Sequence, residues 1–255
     1  MTVAVWCTGD GLGHLSRAVA ALHTLGVPAG EAVLLTGSAW AADPRATAGH
    51  ATAPARLPLP AGVELWVDAL PCGRGELDRQ ALRRAPVVRH LARRLRWSAY
   101  RPRLPDDPPR FATTWLTEPV GAEQEVWLRA NSDEVVALDL IDPPAPPPDI
   151  DVGDAWLIVH SGPEAEVAEL VAYARDTAAA EGANPRIIVI GPGGLDVLPA
   201  WPLFPRAARL ITAGGANALR QCRLHAPQVP HLVLPLPRRW DDQPARARAA
   251  RLGAC

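Results

Sequence analysis

A histidine and an arginine follow closely on three glycines near the start of the chain. His14 comes directly after Gly13, Arg17 lies about one helical turn further on, and Gly9 and Gly11 precede them. An imidazole can act as a general base near neutral pH, and glycines let a backbone approach a ligand closely. We therefore expect His14 to be a titratable group at a ligand-facing helix start, where a base or a phosphate contact would lie. The alternative interpretation is that His14 caps its helix or faces solvent.

The residues around this stretch predict a strand, a glycine loop and a helix. Residues 3–6 form a short apolar run, and Leu15, Val19 and Leu22 then recur at helical spacing. This order is typical of a nucleotide-binding α/β domain, because the helix start offers free N–H groups to an anion. The glycine spacing does not fit G-x-G-x-x-G, and no acidic residue is well placed at the end of the second predicted strand, so the dinucleotide fingerprint is excluded.

Predicted strands and helices alternate along the rest of the chain, which favours parallel sheets. The predicted strands after the first are 31–38, 63–68, 110–116, 134–141, 155–163, 186–194, 209–213 and 231–237, and the predicted helices after the first are 75–84, 86–97, a short helix after 118–126, 164–182, one beginning near 216, and 241–253. Residues 39–62 look irregular, and 33–36 is the better candidate for a central strand. Five prolines within residues 143–148 form a stiff spacer. We expect an α/β fold with an N-terminal domain (1–142), a linker (143–149) and a C-terminal domain (150–255), facing each other across a cleft.

Composition excludes several classes of protein. The net charge of −1 argues against a nucleic-acid partner. The cysteines at 7, 72, 222 and 255 lack metal-ligand spacing, so we expect no metal site and reduced thiols in a cytoplasmic protein. An arginine-rich block at 74–103 has two interpretations: a solvated helix pair, or a patch for a phosphorylated acceptor or an anionic membrane, which would place the protein at the inner membrane face.

Several motifs together resemble a known family. Residues 11–17 look like the N-terminal loop of GT-B glycosyltransferases, closest to bacterial enzymes that transfer N-acetylglucosamine from UDP (glycosyltransferase family 28-like). Residues 214–219 resemble the glycine turn that holds the donor, and 230–237 followed by Asp242-Gln243 resembles the strand and helix start that follow it. Residues 118–126 look like the acidic loop of the N-terminal domain. The motifs keep the family's order across nearly the whole chain.

The resemblance implies metal-independent transfer of a sugar from a nucleotide donor, UDP-linked by the closest match, to a lipid or small-molecule acceptor. It implies no cofactor, because the nucleotide-sugar is a substrate. It gives His14 the role of base, which takes the acceptor's proton. Donor contacts would come from Gly214, Gly215, Asn217, Gln221, Asp242 and Gln243. The phosphate or acceptor side would be formed by Gly11, Gly13, Arg17 and Glu118.

Three departures from the family pattern keep a second function open, and one of them is that the N-terminal domain is short. Gln221 stands where the family usually carries a glutamate for the donor ribose, and the chain ends at Cys255, where relatives continue with helices that return to the N-terminal domain. The protein is therefore expected to be either an active glycosyltransferase or a catalytically inactive GT-B homologue that binds a nucleotide-sugar or a protein. A sugar-nucleotide epimerase matches the His-then-Arg loop less well.

Overall fold

The computed structural model describes residues 2–59 and 61–251, which divide into two compact units. Unit 1 takes in the chain up to Pro143 together with Arg239–Asp241. Unit 2 takes in Pro144–Arg238 and the residues from Asp242 onward.

Unit 1 is built on a seven-stranded sheet in which all neighbours are parallel. Its strands are β1 (Val3–Cys7), β2 (Ala32–Leu35), β3 (Ala51–Ala53), β4 (Glu64–Ala69), β5 (Val88–Ala92), β6 (Phe111–Leu116) and β7 (Ser132–Ala137). Their order across the sheet is β3-β2-β1-β4-β5-β6-β7. Its helices are α1 (Leu12–Thr24), α2 (Pro44–Thr47), α3 (Trp97–Tyr100) and α4 (Ala122–Ala130).

Both faces of the unit 1 sheet are covered, as expected of a parallel sheet. Trp6 of β1 and Val67 of β4 lie in a core cluster on one face, against which Trp127 of α4 packs. Helix α1 lies on the other face, because its Arg17 bonds Asp68, and successive side chains of a strand point to opposite sides. The central strand β4 is therefore buried over almost its whole length.

The arginine-rich block is not a pair of helices. Residues 75–84 form successive turns, and the stretch predicted as a helix at 86–97 contains strand β5. Leu91 and Ala92 are fully buried between β4 and β6, and this tertiary pairing overrides the helical spacing of the apolar residues. Two further expectations were wrong: 39–62 contains strand β3, and the central strand is β4 rather than β2.

Unit 2 has a four-stranded parallel sheet in the order β11-β10-β8-β9. The strands are β8 (Trp156–Val159), β9 (Ile187–Ile190), β10 (Arg209–Ala213) and β11 (His231–Leu234), and the helices are α5 (Glu164–Ala180), α6 (Ala216–His225) and α7 (Gln243–Arg251). The sheet has a core cluster on each face, one with Leu157 and Leu210 and one with Ile158 and Ile211. The predicted end of the last helix at Gly253 lies outside the described residues.

Three cysteines lie in buried surroundings, Cys7, Cys72 and Cys222, and all are free thiols. Burial raises the pKa of Cys72 and of Cys222 to about 12, so neither is a ready nucleophile. Cys255 lies outside the described residues. Over 2–59 and 61–251, no helix has both the length and the apolar character needed to cross a membrane.

Candidate functional site

The site in unit 1 forms where strands β1 and β4 end side by side. Cys7 of β1 pairs with Asp68 of β4, so the loop after β1 and the end of β4 share one edge of the sheet. Helix α1 starts from that loop, and its first two turns carry His14 and Arg17. The register therefore brings both predicted residues to Asp68.

Asp68 receives three side-chain contacts within this cluster. Nδ1 of His14 lies 2.5 Å from Oδ2 of Asp68, while Nε and Nη2 of Arg17 donate to Oδ1 and Oδ2 at 2.5 and 2.8 Å. Asp68 is fully buried, Arg17 is 4% exposed and the His14 side chain is 17% exposed. Because the ionised carboxylate of Asp68 can only accept, its 2.5 Å contact requires a proton on Nδ1 of His14, and the guanidinium of Arg17 lies further from Nδ1, at 3.3 Å. Nε2 then holds the lone pair that a base requires.

Gly9 is the residue against which the His14 ring lies. A Cβ atom at position 9 would fall 2.1 Å from Nε2 of His14 and 2.2 Å from its Cδ2. Only glycine leaves room for the ring in this orientation. The first glycine of the loop thus sets the direction of the imidazole.

At neutral pH, Asp68 is ionised and His14 is neutral. Burial alone would raise the pKa of the Asp68 carboxyl, but the charges and hydrogen bonds of Arg17 and His14 hold it well below its usual value. Burial lowers the pKa of His14, and this outweighs the opposite influence of Asp68. The cluster therefore presents an ionised aspartate behind a neutral imidazole, which is the state a general base needs before reaction.

Other charged residues surround this cluster at the same end of the sheet. Arg93, directly after β5, forms an ion pair with Asp241, and both are largely buried. Glu118 is half-buried, and its Oε1 accepts a hydrogen bond from the backbone N–H of Arg94 at 2.8 Å. Gly11 and Gly13 are exposed at the start of α1. The predicted acceptor-side residues thus lie at the carboxyl end of the unit 1 sheet.

The predicted donor residues lie in unit 2, before and along α6 and at the start of α7. Gly214 is buried against α7, since a Cβ atom there would fall 2.9 Å from Cβ of Gln243. Gly215 precedes the first residue of α6, and Asn217 and Gln221 are half-buried on that helix.

Two of these donor residues also hold the local structure. Gln243 is 4% exposed, and its Oε1 accepts a hydrogen bond from the N–H of Leu236 at 2.9 Å. Oδ1 of Asp242 accepts from the N–H of Ala245 at 3.2 Å, which caps α7. Because Oε1 of Gln243 is engaged, the amide NH₂ is the part of this side chain that could serve a ligand.

Asp68 is a residue of the candidate site in unit 1 that the sequence analysis missed. Asp68 is the last residue of the third predicted strand (63–68), not of the second. That strand corresponds to β4, which pairs with β1 on the side opposite to β2. The sequence carried a signal for Asp68. The predicted strand that begins at Val63 is mostly apolar and has an aspartate as its last residue, and ligands bind at the carboxyl ends of strands in parallel sheets.

Comparison with known proteins supports the architecture. No family model matches the chain, and no curated protein matches it. The solved structure of the glycosyltransferase SnogD from Streptomyces nogalater is similar over 99% of this chain and 84% of that chain, with a TM-score of 0.52 and 15% sequence identity. The likeness confirms the predicted fold class: the chain has a GT-B-like α/β fold with two Rossmann-like units, each on a parallel sheet.

Proposed function

We propose that the protein is a glycosyltransferase that moves a sugar from a UDP-linked donor to a hydroxyl group of a lipid or small-molecule acceptor. The observation that carries this proposal is the contact of His14 with the buried, ionised Asp68 at 2.5 Å. The similarity of the fold to a solved glycosyltransferase supports it. In this proposal unit 1 binds the acceptor and unit 2 binds the donor.

The proposed reaction assigns a separate task to each member of the cluster. Nε2 of His14 takes the proton of the acceptor hydroxyl as that oxygen attacks the anomeric carbon, and the diphosphate leaves with the bonding electrons. Asp68 holds the tautomer and stabilises the imidazolium that forms. Arg17 keeps Asp68 ionised through its two hydrogen bonds.

The donor is proposed to bind along α6 and α7 without a metal. The start of α6, at Gly214, Gly215 and Asn217, offers N–H groups and the positive end of the helix dipole to the diphosphate. Gln221 would meet the ribose hydroxyls, one turn further along the same helix. Asp242 and Gln243 would meet the hydroxyls of the sugar.

An assay for UDP release with a panel of UDP-sugars and acceptors tests this function. Replacing His14 by alanine should lower turnover by roughly 10²–10⁴ and leave UDP affinity almost unchanged. His23→Ala is the matched control, because His23 is an exposed histidine on the same helix. Absence of UDP release with every pair of substrates, or equal turnover in the His14 variant, would contradict the proposal.

The presence of Gln221 favours a second candidate function, a nucleotide-sugar-binding module without catalysis. An amide forms weaker hydrogen bonds to a ribose diol than a carboxylate does. In that case UDP would bind measurably to the protein, and no donor would be turned over.

We also propose that an anionic membrane or acceptor contacts part of the arginine-rich block. Strand β5 divides the block: Arg83 and Arg84 precede the strand, whereas Arg101 and Arg103 follow its carboxyl end. All four are exposed. Because His14, the proposed base, also lies at the carboxyl end of this sheet, we assign the contact with the membrane or the acceptor to Arg101 and Arg103.

A further inference from the structure

Unit 2 carries its own cluster of a histidine, a carboxylate and an arginine. Nη1 and Nη2 of Arg238 donate to Oε1 and Oε2 of Glu166 at 2.7 and 2.5 Å. Nε2 of His160 lies 2.6 Å from Oε2 of the same carboxylate. Both carboxylate oxygens of Glu166 therefore contact side-chain nitrogens of Arg238 or His160.

The cluster lies at the edge of the sheet where the proposed donor site begins. His160 directly follows β8, whose last residue pairs with Thr212 of β10, so His160 lies beside the strand end that leads into Gly214. Glu166 is in the first turn of α5, and Arg238 follows β11. Three neighbouring elements thus converge on one carboxylate.

Gly162 makes this arrangement possible. A Cβ atom there would fall 2.4 Å from Nε2 of His160 and 2.6 Å from Oε2 of Glu166. The contact between the imidazole and the carboxylate passes directly over this residue. The loop after β8 therefore needs glycine at position 162 to leave room for the contact between His160 and the carboxylate of Glu166.

The groups that hold Glu166 are those that recognise a phosphate. A guanidinium that gives two parallel N–H groups fits a phosphate as well as a carboxylate, and an imidazole N–H adds a third donor. The hydrogen bond from Arg238 is the largest influence that holds the pKa of Glu166 below its usual value. Arg238 is 31% exposed and Glu166 is 20% exposed, so a ligand can reach the pair.

We propose that His160 and Arg238 form a phosphate site of unit 2 and that Glu166 occupies it as an internal substitute anion. A phosphate group of the ligand takes over the donors from Glu166, which turns outward to solvent. Naming that phosphate as part of the donor diphosphate rests on the proposed function; the site itself does not. A diphosphate must displace Glu166 in order to bind, so the hydrogen bonds of Glu166 lower the apparent affinity of the site for the diphosphate.

Calorimetry of the full chain with inorganic pyrophosphate tests this site. Glu166→Gln removes the competing charge and keeps the size of the side chain, so pyrophosphate should bind about tenfold tighter than to the unaltered protein. Glu181→Gln is the matched control, because Glu181 also accepts two bonds from an arginine of unit 2, Arg209, but at the far end of α5. It should leave the affinity unchanged.

Arg238→Gln provides an independent test with Glu166 in place. It should weaken pyrophosphate binding by about tenfold, and in combination with Glu166→Gln it should abolish the gain. Equal or weaker binding by a folded Glu166→Gln protein, or undiminished binding by Arg238→Gln, would overturn the proposal. Tighter pyrophosphate binding without UDP release from any donor would contradict the proposed glycosyltransferase and leave this site standing.

Discussion

At His14, one ring nitrogen contacts Asp68 and the other faces Gly9, so a change at Gly9 tests the proposed base without replacing it. Gly9→Ala places a methyl group 2.1 Å from Nε2 of His14, and the ring must rotate away from Asp68. We expect turnover to fall by roughly 10²–10⁴, as in His14→Ala, because the base loses its orientation.

The matched control for this change is Gly30→Ala, since a Cβ atom at Gly30 would meet nothing within 4 Å. Turnover should be unchanged in that protein. Thermal melting would show that both variants are folded. A Gly9→Ala protein with full turnover would mean that the orientation of His14 is not what the reaction uses.

Gln221 allows a gain-of-affinity test on the donor side. A carboxylate can accept two hydrogen bonds from a ribose diol, and bonds to a charged acceptor are stronger than neutral ones. Gln221→Glu should therefore tighten UDP binding by about tenfold in calorimetry. If neither protein binds UDP, the donor assignment for α6 is wrong, and the nucleotide-binding alternative fails with it.

Single residues could be predicted only where the relevant pattern is local. His14 and Arg17 share one helix with the glycines before it, so their proximity follows from helical spacing. Asp68 lies 54 positions from His14, and only the pairing of β1 with β4 brings it there. Arg238 lies 72 positions from Glu166 and was missed for the same reason, whereas His160 is only six positions from Glu166 and was missed although the separation is short.

At the scale of elements, β5 shows how tertiary pairing decides between two readings of one pattern. The apolar residues from Val87 to Leu95 fit a helical face, yet Val88–Ala92 within this stretch form the strand that lies between β4 and β6. Arg89 then pairs with Glu64 of β4 at 2.7 Å and lies 5.3 Å from the ring centre of Trp115 of β6. Neither neighbour is visible from local spacing.

The division of the block by β5 predicts unequal roles for its two exposed arginine pairs. The double change Arg101→Glu and Arg103→Glu should reduce sedimentation with anionic vesicles at least about tenfold, because each arginine near such a surface contributes about 1 kcal/mol. Binding by the unaltered protein should fade with added salt.

The double change Arg83→Glu and Arg84→Glu is the comparison, since it reverses the same charge at the other end of β5. It should have little effect on sedimentation. Equal losses in both proteins would point to attraction by net charge alone. Equal, negligible binding of the unaltered protein to anionic and neutral vesicles would show that the block is a solvated surface.

At the scale of the whole molecule, each unit holds a neutral histidine that acid can charge, fully buried at His90 in unit 1 and half-buried at His231 in unit 2. Burial lowers the pKa of His90 in unit 1 and of His231 in unit 2 to about 4. Between pH 6.5 and 4 the unfolded chain therefore binds more protons than the native one. Stability is fully present above this window and falls as the pH falls through it, by roughly 3 kcal/mol for the fully buried His90 alone.

Urea unfolding followed across this window checks the effect. His90→Gln can still donate to the carbonyl of Ala69, which His90 contacts through Nε2 at 3.2 Å, but it cannot be charged. Its stability should fall less steeply with acid than that of the unaltered protein. His23→Gln, at an exposed site, should keep the original slope. Parallel curves for all three proteins would rule out His90 as a source of acid sensitivity.

The alternation of strands and helices predicted the fold class at this scale, because parallel strands need crossover helices whatever their order. The order of the strands depends on contacts between distant segments, which explains why β4 rather than β2 is central.

The brief return of Arg239–Asp241 to unit 1 has a consequence for dissecting the protein. In unit 1 this tripeptide gives Arg93 its ion-pair partner, accepts a hydrogen bond from the N–H of Arg96 at 2.8 Å, and sets Trp240 edge-on to Tyr100. A protein truncated within the proline segment would contain the first part of unit 1 without these three contacts. Such a fragment would retain a buried guanidinium without its carboxylate, which is costly. The boundary of unit 1 is therefore not a single position in the sequence, and a chimera that exchanges unit 1 with that of another protein would have to include this tripeptide as well as the first half of the chain.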